Sequence, residues 1–347
     1  MRWSGADWDG GTWTTTSNSS ACELRPSPRM TSIVVPDDFP SVFAGSAAEE
    51  RLRRLGDVAV FSERGADREQ ELARRIADAD VVVNLRAHAH FTRAVLLQAP
   101  KLKLISIWGT GYEHVDLGEC RSRGITVTTT PGANAHAVAE HTVALMLGGL
   151  RRLPEMDRGV RAGQWPRERP AQLEGKTVGL IGLGAIGSRV AELLKPFGVT
   201  LLAWTRTKDD ARAARAGARW VPIETLLRES DVVSLHLRLA PDTVGFLDAK
   251  RVAMMKPAAL LVNTARGGLV ERDALVSALR DGKISAALDV FHIEPIPAND
   301  PLLSVPNVVM TPHNAGSTAE ATEAGLIRAV ENVKAFLDGK PRDVIRG

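Results

Sequence analysis

The chain reads as an α/β protein built from two doubly wound parallel-sheet domains. From Met30 onward, short apolar runs alternate with stretches that carry apolar residues at helical spacing. A glycine-rich turn also joins one of those runs directly to a helix, the local signature of a nucleotide-binding sheet. Strands that alternate with helices pair in parallel, because each crossover helix packs back onto a face of the sheet. At 347 residues the chain can bury a core in each of two domains.

Residues 1–29 are rich in Gly, Ser and Thr and hold no apolar run, so they are expected to be a disordered N-terminal extension and not a signal peptide. Met30, directly ahead of Ile33-Val34-Val35, is a candidate natural start. SIVVP, DVAVF, DVVVNL and KLISIW then predict strands, with SAAEERLRRLG and REQELARRIADA as helices between them. A long helix is expected from about His136 to Leu153. It is apolar on much of its surface and is therefore buried, between domains or in a subunit interface. A loop containing Gly163, Trp165, Pro166 and Pro170 leads into further strands at KTVGLIGLG, VTLLAW, DVVSLHL, ALLVNTA, SAALDV and NVVMTP. A last helix, AEATEAGLIRAVENVKAFLDG, has no strand after it, so it is expected to return to the first domain and make that domain discontinuous.

Composition narrows the class of partner. With 44% apolar residues, 24% charged residues and a net charge of +3, the basic excess is too mild to argue for nucleic acid or an anionic membrane. No apolar run approaches the ~20 residues that span a bilayer. The two cysteines, Cys22 and Cys120, form no C-x-x-C pair, which argues against a disulfide scaffold or a metal site and for a reducing, cytoplasmic setting.

Lys176–Ile181 is a buried strand, and Gly182-Leu183-Gly184-Ala185-Ile186-Gly187 follows it without a gap. Gly182 permits the tight turn, Gly184 lets the backbone approach a pyrophosphate, and Gly187 lets the helix lie close to the strand. The phosphates then meet the unpaired amides and the positive end of that helix. This is a Rossmann dinucleotide site in its confirming context of strand, turn and helix. The next strand ends on Trp204-Thr205-Arg206, where an acid would bind the ribose diol of NAD. Thr205 can donate to a 2′-phosphate and Arg206 can neutralise it, so NADP is favoured over NAD. NAD stays open if Arg206 is merely solvated.

Arg266, Glu294 and His313 each stand just beyond a strand candidate of the second series, on the side where open α/β sheets bind ligands. A histidine can give a proton to a carbonyl oxygen, a carboxylate on its other nitrogen fixes the tautomer, and an arginine can fork onto a carboxylate and the carbonyl. Singly, each reads as an ordinary loop residue; together they form a site for hydride chemistry on a 2-oxo acid.

GLIGLGAIG, NTARGGLV, ALDVFHIEP and TPHNAGST, in that order, resemble the D-isomer-specific 2-hydroxyacid dehydrogenases, with similarity from about Ile33 to the end. The resemblance implies a Rossmann domain over 134–316 and a discontinuous flavodoxin-like substrate domain over 30–133 and 317–347. It puts Arg266, Glu294 and His313 in the catalytic set, and Glu294 in place of glutamine argues against formate as substrate. Cofactor contacts are implied for Thr110, Gly182, Gly184, Ala185, Ile186, Gly187, Thr205, Arg206, Leu237, Thr264, Ala265, Asp289 and Gly316, with Asp289 holding the nicotinamide amide. Gly109, Thr110 and Gly111 are implied to bind the substrate carboxylate through their amides. Arg86 and His88 are candidates for specificity or equally solvated loop residues, and Asn134 matches a hinge position. Arg238, in HLRLAPDT, departs from the family pattern, which has proline there. The implied activity is NAD(P)-dependent reduction of a small 2-oxo acid by a homodimer without metal. A nicotinamide-sensing corepressor of the same fold is the alternative, and turnover separates the two.

Overall fold

The computed structural model describes residues 30–167 and 169–345, so the disorder expected for 1–29 lies outside the described residues. The first sheet contains β1 (Ser32–Val35), β2 (Asp57–Val60), β3 (Val81–Asn84), β4 (Leu104–Ile107) and β5 (Thr126–Thr128), all parallel in the order β2-β1-β3-β4-β5. Between them run α1 (Ala47–Arg53), α2 (Glu69–Ile76), α3 (Arg93–Leu97) and α4 (Leu117–Ser122). This is the flavodoxin-like order, with its reversal between β1 and β3. Every residue of β3 and β4 is buried, as both faces must be when helices cover both. β5 was not among the expected strands. Its threonines give little apolar signal alone, yet its Ala-free run pairs with β4 and buries Val127 and Thr128.

α5 (Ala135–Leu150) ends earlier than expected: Arg152 turns left-handed at φ 52 and α6 (Leu153–Arg161) begins with proline in its first turn, where a loop was expected. The second sheet follows. Its strands are β6 (Thr177–Ile181), β7 (Thr200–Trp204), β8 (Arg219–Trp220), β9 (Val232–Leu235), β10 (Ala259–Asn263), β11 (Ile284–Leu288) and β12 (Val308–Met310). They are parallel in the order β12-β11-β10-β9-β6-β7-β8, so the reversal falls between β6 and β9. α7 (Ala185–Leu194), α8 (Asp210–Arg215), α9 (Ile223–Glu229), α10 (Ala249–Met254) and α11 (Arg272–Arg280) make the crossovers. β8 is a two-residue edge strand that no apolar run announces.

The apolar surface of α5 is used inside this second half, against α7, β10, β11 and β12. Ala139, Val143 and Met146 join Leu180, Val190 and Leu194 in one core, where each large side chain stabilises by about 1.5–3 kcal/mol. α12 (Ala319–Leu337) returns to the first sheet as expected. Its Leu326, Ala329, Val330 and Val333 complete the core around Ile33, Val83 and Leu104. Among the described residues no helix is long and apolar enough to cross a membrane.

Candidate active site

Both sheets present their carboxyl ends to one cleft, and a cavity there is lined by Thr110, Gly111 and Glu113 from the first half and by Arg238, Arg266 and His313 from the second. Ile186, Leu237, Thr264, Ala265, Asp289, Gly316 and Asn134 also border it. The glycine turn lies at its side, between β6 and α7, where the Gly182 amide donates to Trp204 O at 2.8 Å. A methyl group at Gly187 would stand 2.1 Å from Gly182 O, so only glycine lets α7 close onto the strand and leave its first amides facing outward. That cradle fits a dinucleotide pyrophosphate, for which Gly184 and Ala185 supply backbone.

His313 takes a left-handed backbone, φ 51, which costs a non-glycine residue about 1 kcal/mol and is held by neighbours. Buried Asp289 does the holding. Its Oδ1 accepts from Thr311 Oγ1 at 2.5 Å and from the Asn314 amide at 3.0 Å, and its Oδ2 accepts from the Ala315 amide at 3.0 Å. His141 Nε2, on α5, lies 3.0 Å from Thr311 Oγ1 and extends this network. The turn so fixed places His313 Nδ1 2.5 Å from Glu294 Oε2. Glu294 Oε1 accepts from the Phe291 amide at 2.8 Å. Burial raises the pKa of this carboxyl, but the hydrogen bonds from His313 and Phe291 outweigh it and hold it below the ordinary value. With Nδ1 occupied, Nε2 is the nitrogen left for a ligand.

Arg266 follows β10. Its Nη1 donates to Ala265 O at 2.8 Å, and its Nε lies 3.5 Å from Glu113 Oε1 across the cleft. A methyl group at Gly111 would sit 2.4 Å from Arg266 Nη2, so the glycine lets the guanidinium reach the loop backbone. Glu113 was missed in the sequence because a lone acid in a loop reads as solvated.

Several expected contacts differ. The Gly109 amide already donates to Thr130 Oγ1 at 2.8 Å, which leaves Thr110 and Gly111 as the loop residues that face the cavity. Arg86 and His88 do not border the cavity. The Arg86 guanidinium bonds Pro40 O and lies 5.9 Å from the Trp108 ring, while His88 Nε2 lies 3.2 Å from buried Asp37. Thr205 is buried, and its hydroxyl donates to Thr207 O at 2.7 Å while accepting from Trp220 Nε1 at 3.2 Å. Its one proton is therefore used internally, and the expectation that it donates to a 2′-phosphate is corrected. Arg206 meets an acid after all, in an ion pair with Asp242 from the loop after β9. No group of three or more potential metal ligands occurs among the described residues.

Residues 143–315 match the family model described as D-isomer specific 2-hydroxyacid dehydrogenase, NAD binding domain. The chain is 40% identical over 304 residues to a glyoxylate reductase of Aeropyrum pernix, covering 84% of this chain and 90% of that one. It is 39% identical over 308 residues to a D-3-phosphoglycerate dehydrogenase of Mycobacterium leprae, covering 87% of this chain but 58% of that longer protein. Among solved structures, an acyclic imino acid reductase in complex with NADPH and D-Arg superposes with a TM-score of 0.83 at 29% identity, over 91% of this chain and 100% of that one.

Proposed function

Since the chain belongs to the D-isomer-specific 2-hydroxyacid dehydrogenase family, we propose that it reduces a small 2-oxo acid to the D-2-hydroxy acid with NADPH or NADH. The observation that carries this reading is that His313, 2.5 Å from Glu294, lines the same cavity as Arg266. A bound reduced nicotinamide supplies the hydride for the carbonyl carbon. His313 Nε2 gives the carbonyl oxygen its proton while Glu294 holds Nδ1 and stabilises the charged ring. Arg266 forks onto the substrate carboxylate and carbonyl, exchanging Glu113 for the substrate, and so orients the carbonyl and offsets its developing negative charge. The amides of Thr110 and Gly111 take the other side of the carboxylate. Asp289 acts twice, toward the nicotinamide amide and by fixing the His313 turn.

The dinucleotide is assigned to the part of the chain spanning 134–316, on the Gly182–Gly187 turn, and the substrate loop to 30–133, with 317–347 completing that domain. NADP is favoured over NAD because Thr205 stands where an NAD-binding acid is usual and Arg206 follows it with a positive charge, and this preference now rests on Arg206 alone. We extend the proposal to a cytoplasmic homodimer joined through the second half, supported by Leu153, Val160 and Trp165, which are 55%, 54% and 73% exposed on α6 and the loop after it. The decisive experiment follows reduced-nicotinamide absorbance with glyoxylate, hydroxypyruvate and pyruvate against NADPH and NADH. Absence of oxidation in every combination would sink the reading; light scattering tests the dimer.

A further inference from the structure

We propose that Arg238 is a positioning residue: through Tyr112 it ties loop 109–113 to the second half of the molecule and so sets where Thr110 and Gly111 present their amides. The inference rests on the carboxylate-binding role assigned above to those amides.

Arg238 stands in the loop after β9, and its carbonyl accepts from Thr243 Oγ1 at 2.7 Å, so the arm is anchored at its base. Its Nη1 donates to Tyr112 Oη at 3.3 Å, and the guanidinium lies 5.5 Å from the Tyr112 ring centroid. The two contacts combine a hydrogen bond with a cation–π attraction. The next residue, Glu113, receives Arg266 from the loop after β10, the strand beside β9 in the sheet. Consecutive residues of one loop are thus held by arginines from adjacent strand ends. The other end of the loop is tied to its own half: the Gly109 amide donates to Thr130 Oγ1 and the Thr130 amide to Gly109 O, both at 2.8 Å. Thr110 and Gly111 are the stretch between these two attachments. A proline at 238 has no side-chain donor and no charge, so it could not make the tie.

The test uses the full chain with Arg238→Leu, Arg238→Lys, Tyr112→Phe and the Arg238→Leu/Tyr112→Phe double variant. Reduction of glyoxylate and pyruvate is compared with that of dianionic oxaloacetate, cofactor affinity is read by nicotinamide fluorescence, and amide exchange is followed in 109–113 by mass spectrometry. Arg238→Leu is expected to raise KM about 10-fold for mono- and dianionic substrates alike, with a smaller fall in kcat and cofactor Kd within about 2-fold. Tyr112→Phe should cost about 2- to 5-fold, and the double variant should be no worse than Arg238→Leu within about 2-fold, because both changes cut one tie. Arg238→Lys should recover part of the KM, and exchange in 109–113 should quicken in Arg238→Leu without substrate. Effects that multiply in the double variant, or unchanged KM and exchange, overturn the proposal. So does a loss confined to oxaloacetate, which would mean that Arg238 touches the substrate itself. A parent protein inactive on every 2-oxo acid overturns the activity reading, and the exchange measurement still decides the tie.

Discussion

Glu294 Oε2 lies 2.5 Å from His313 Nδ1, and the carboxyl is held below its ordinary pKa even though burial pushes the other way. The contact therefore favours an ionised Glu294 beside a proton on the imidazole. Glu294→Gln keeps the shape and removes the charge. It should lower kcat for 2-oxo acid reduction about 10-fold, and His313→Ala should lower kcat by about 100-fold or more, each with little change in cofactor affinity. Steady-state rates and cofactor titrations check both; an unchanged kcat in Glu294→Gln would separate the pair functionally.

The Arg206–Asp242 ion pair governs a second expectation. Asp242 neutralises the cation that a 2′-phosphate would use, so Asp242→Asn should raise the preference for NADPH over NADH about 3- to 10-fold, while Arg206→Ala should lower it by about 10-fold or more. The ratio of kcat/KM for the two cofactors reads both effects. A parent that prefers NADH, with neither variant altering the ratio, would remove Arg206 from the discrimination.

Gly187→Ala addresses the phosphate cradle. The added methyl has no room against Gly182 O at 2.1 Å, so α7 must back away from β6. Cofactor affinity should fall at least about 10-fold and stability by about 1–3 kcal/mol, measured by fluorescence titration and urea unfolding.

Two histidines make stability depend on acid. Burial pushes the pKa of His114 and of His236 down to about 4, from 6.5. The Asn84 amide nitrogen lies 2.8 Å from His114 Nε2, which makes that ring nitrogen an acceptor and the ring neutral. Because the folded values lie below the unfolded one, this contribution to stability is complete above pH 6.5 and is lost as pH falls toward 4. His114→Gln should flatten the fall of unfolding free energy between those values by up to about 1.4 kcal/mol per pH unit, one proton's worth. Urea melts at several pH values check the slope.

The alternation of strands and helices was legible because buried parallel strands are continuous apolar runs, as in VVVN of β3 and ALLVN of β10. β5 and β8 were not, since a threonine-rich run and a two-residue edge gain their strand character from the neighbour they pair with. The helix was expected to run to Leu153, just before Pro154, and the earlier break was hidden because an arginine gives no local sign of the left-handed backbone that Arg152 adopts. At the site, the residues at strand ends could be found because topology alone aims them at the cleft. What crosses the cleft could not: Glu113 against Arg266 and Tyr112 against Arg238, like Asp242 against Arg206 within the second half, join residues far apart in the chain, and nothing local in either partner announces the other. Thr205 failed for the opposite reason, its hydroxyl being consumed by Trp220 and Thr207 in its own neighbourhood.

The return of α12 imposes an order of events during synthesis. Ser106 Oγ donates to Ala329 O across 223 residues, and Asn332 Nδ2 donates to Thr129 O across 203. A nascent chain leaving the ribosome therefore carries one face of its first sheet covered only in part, by α1, until α12 emerges, while the second half, contiguous in sequence, can close its own core meanwhile. The first sheet, made before the second half, is thus completed after it, and that waiting face is where a chaperone would be expected to bind.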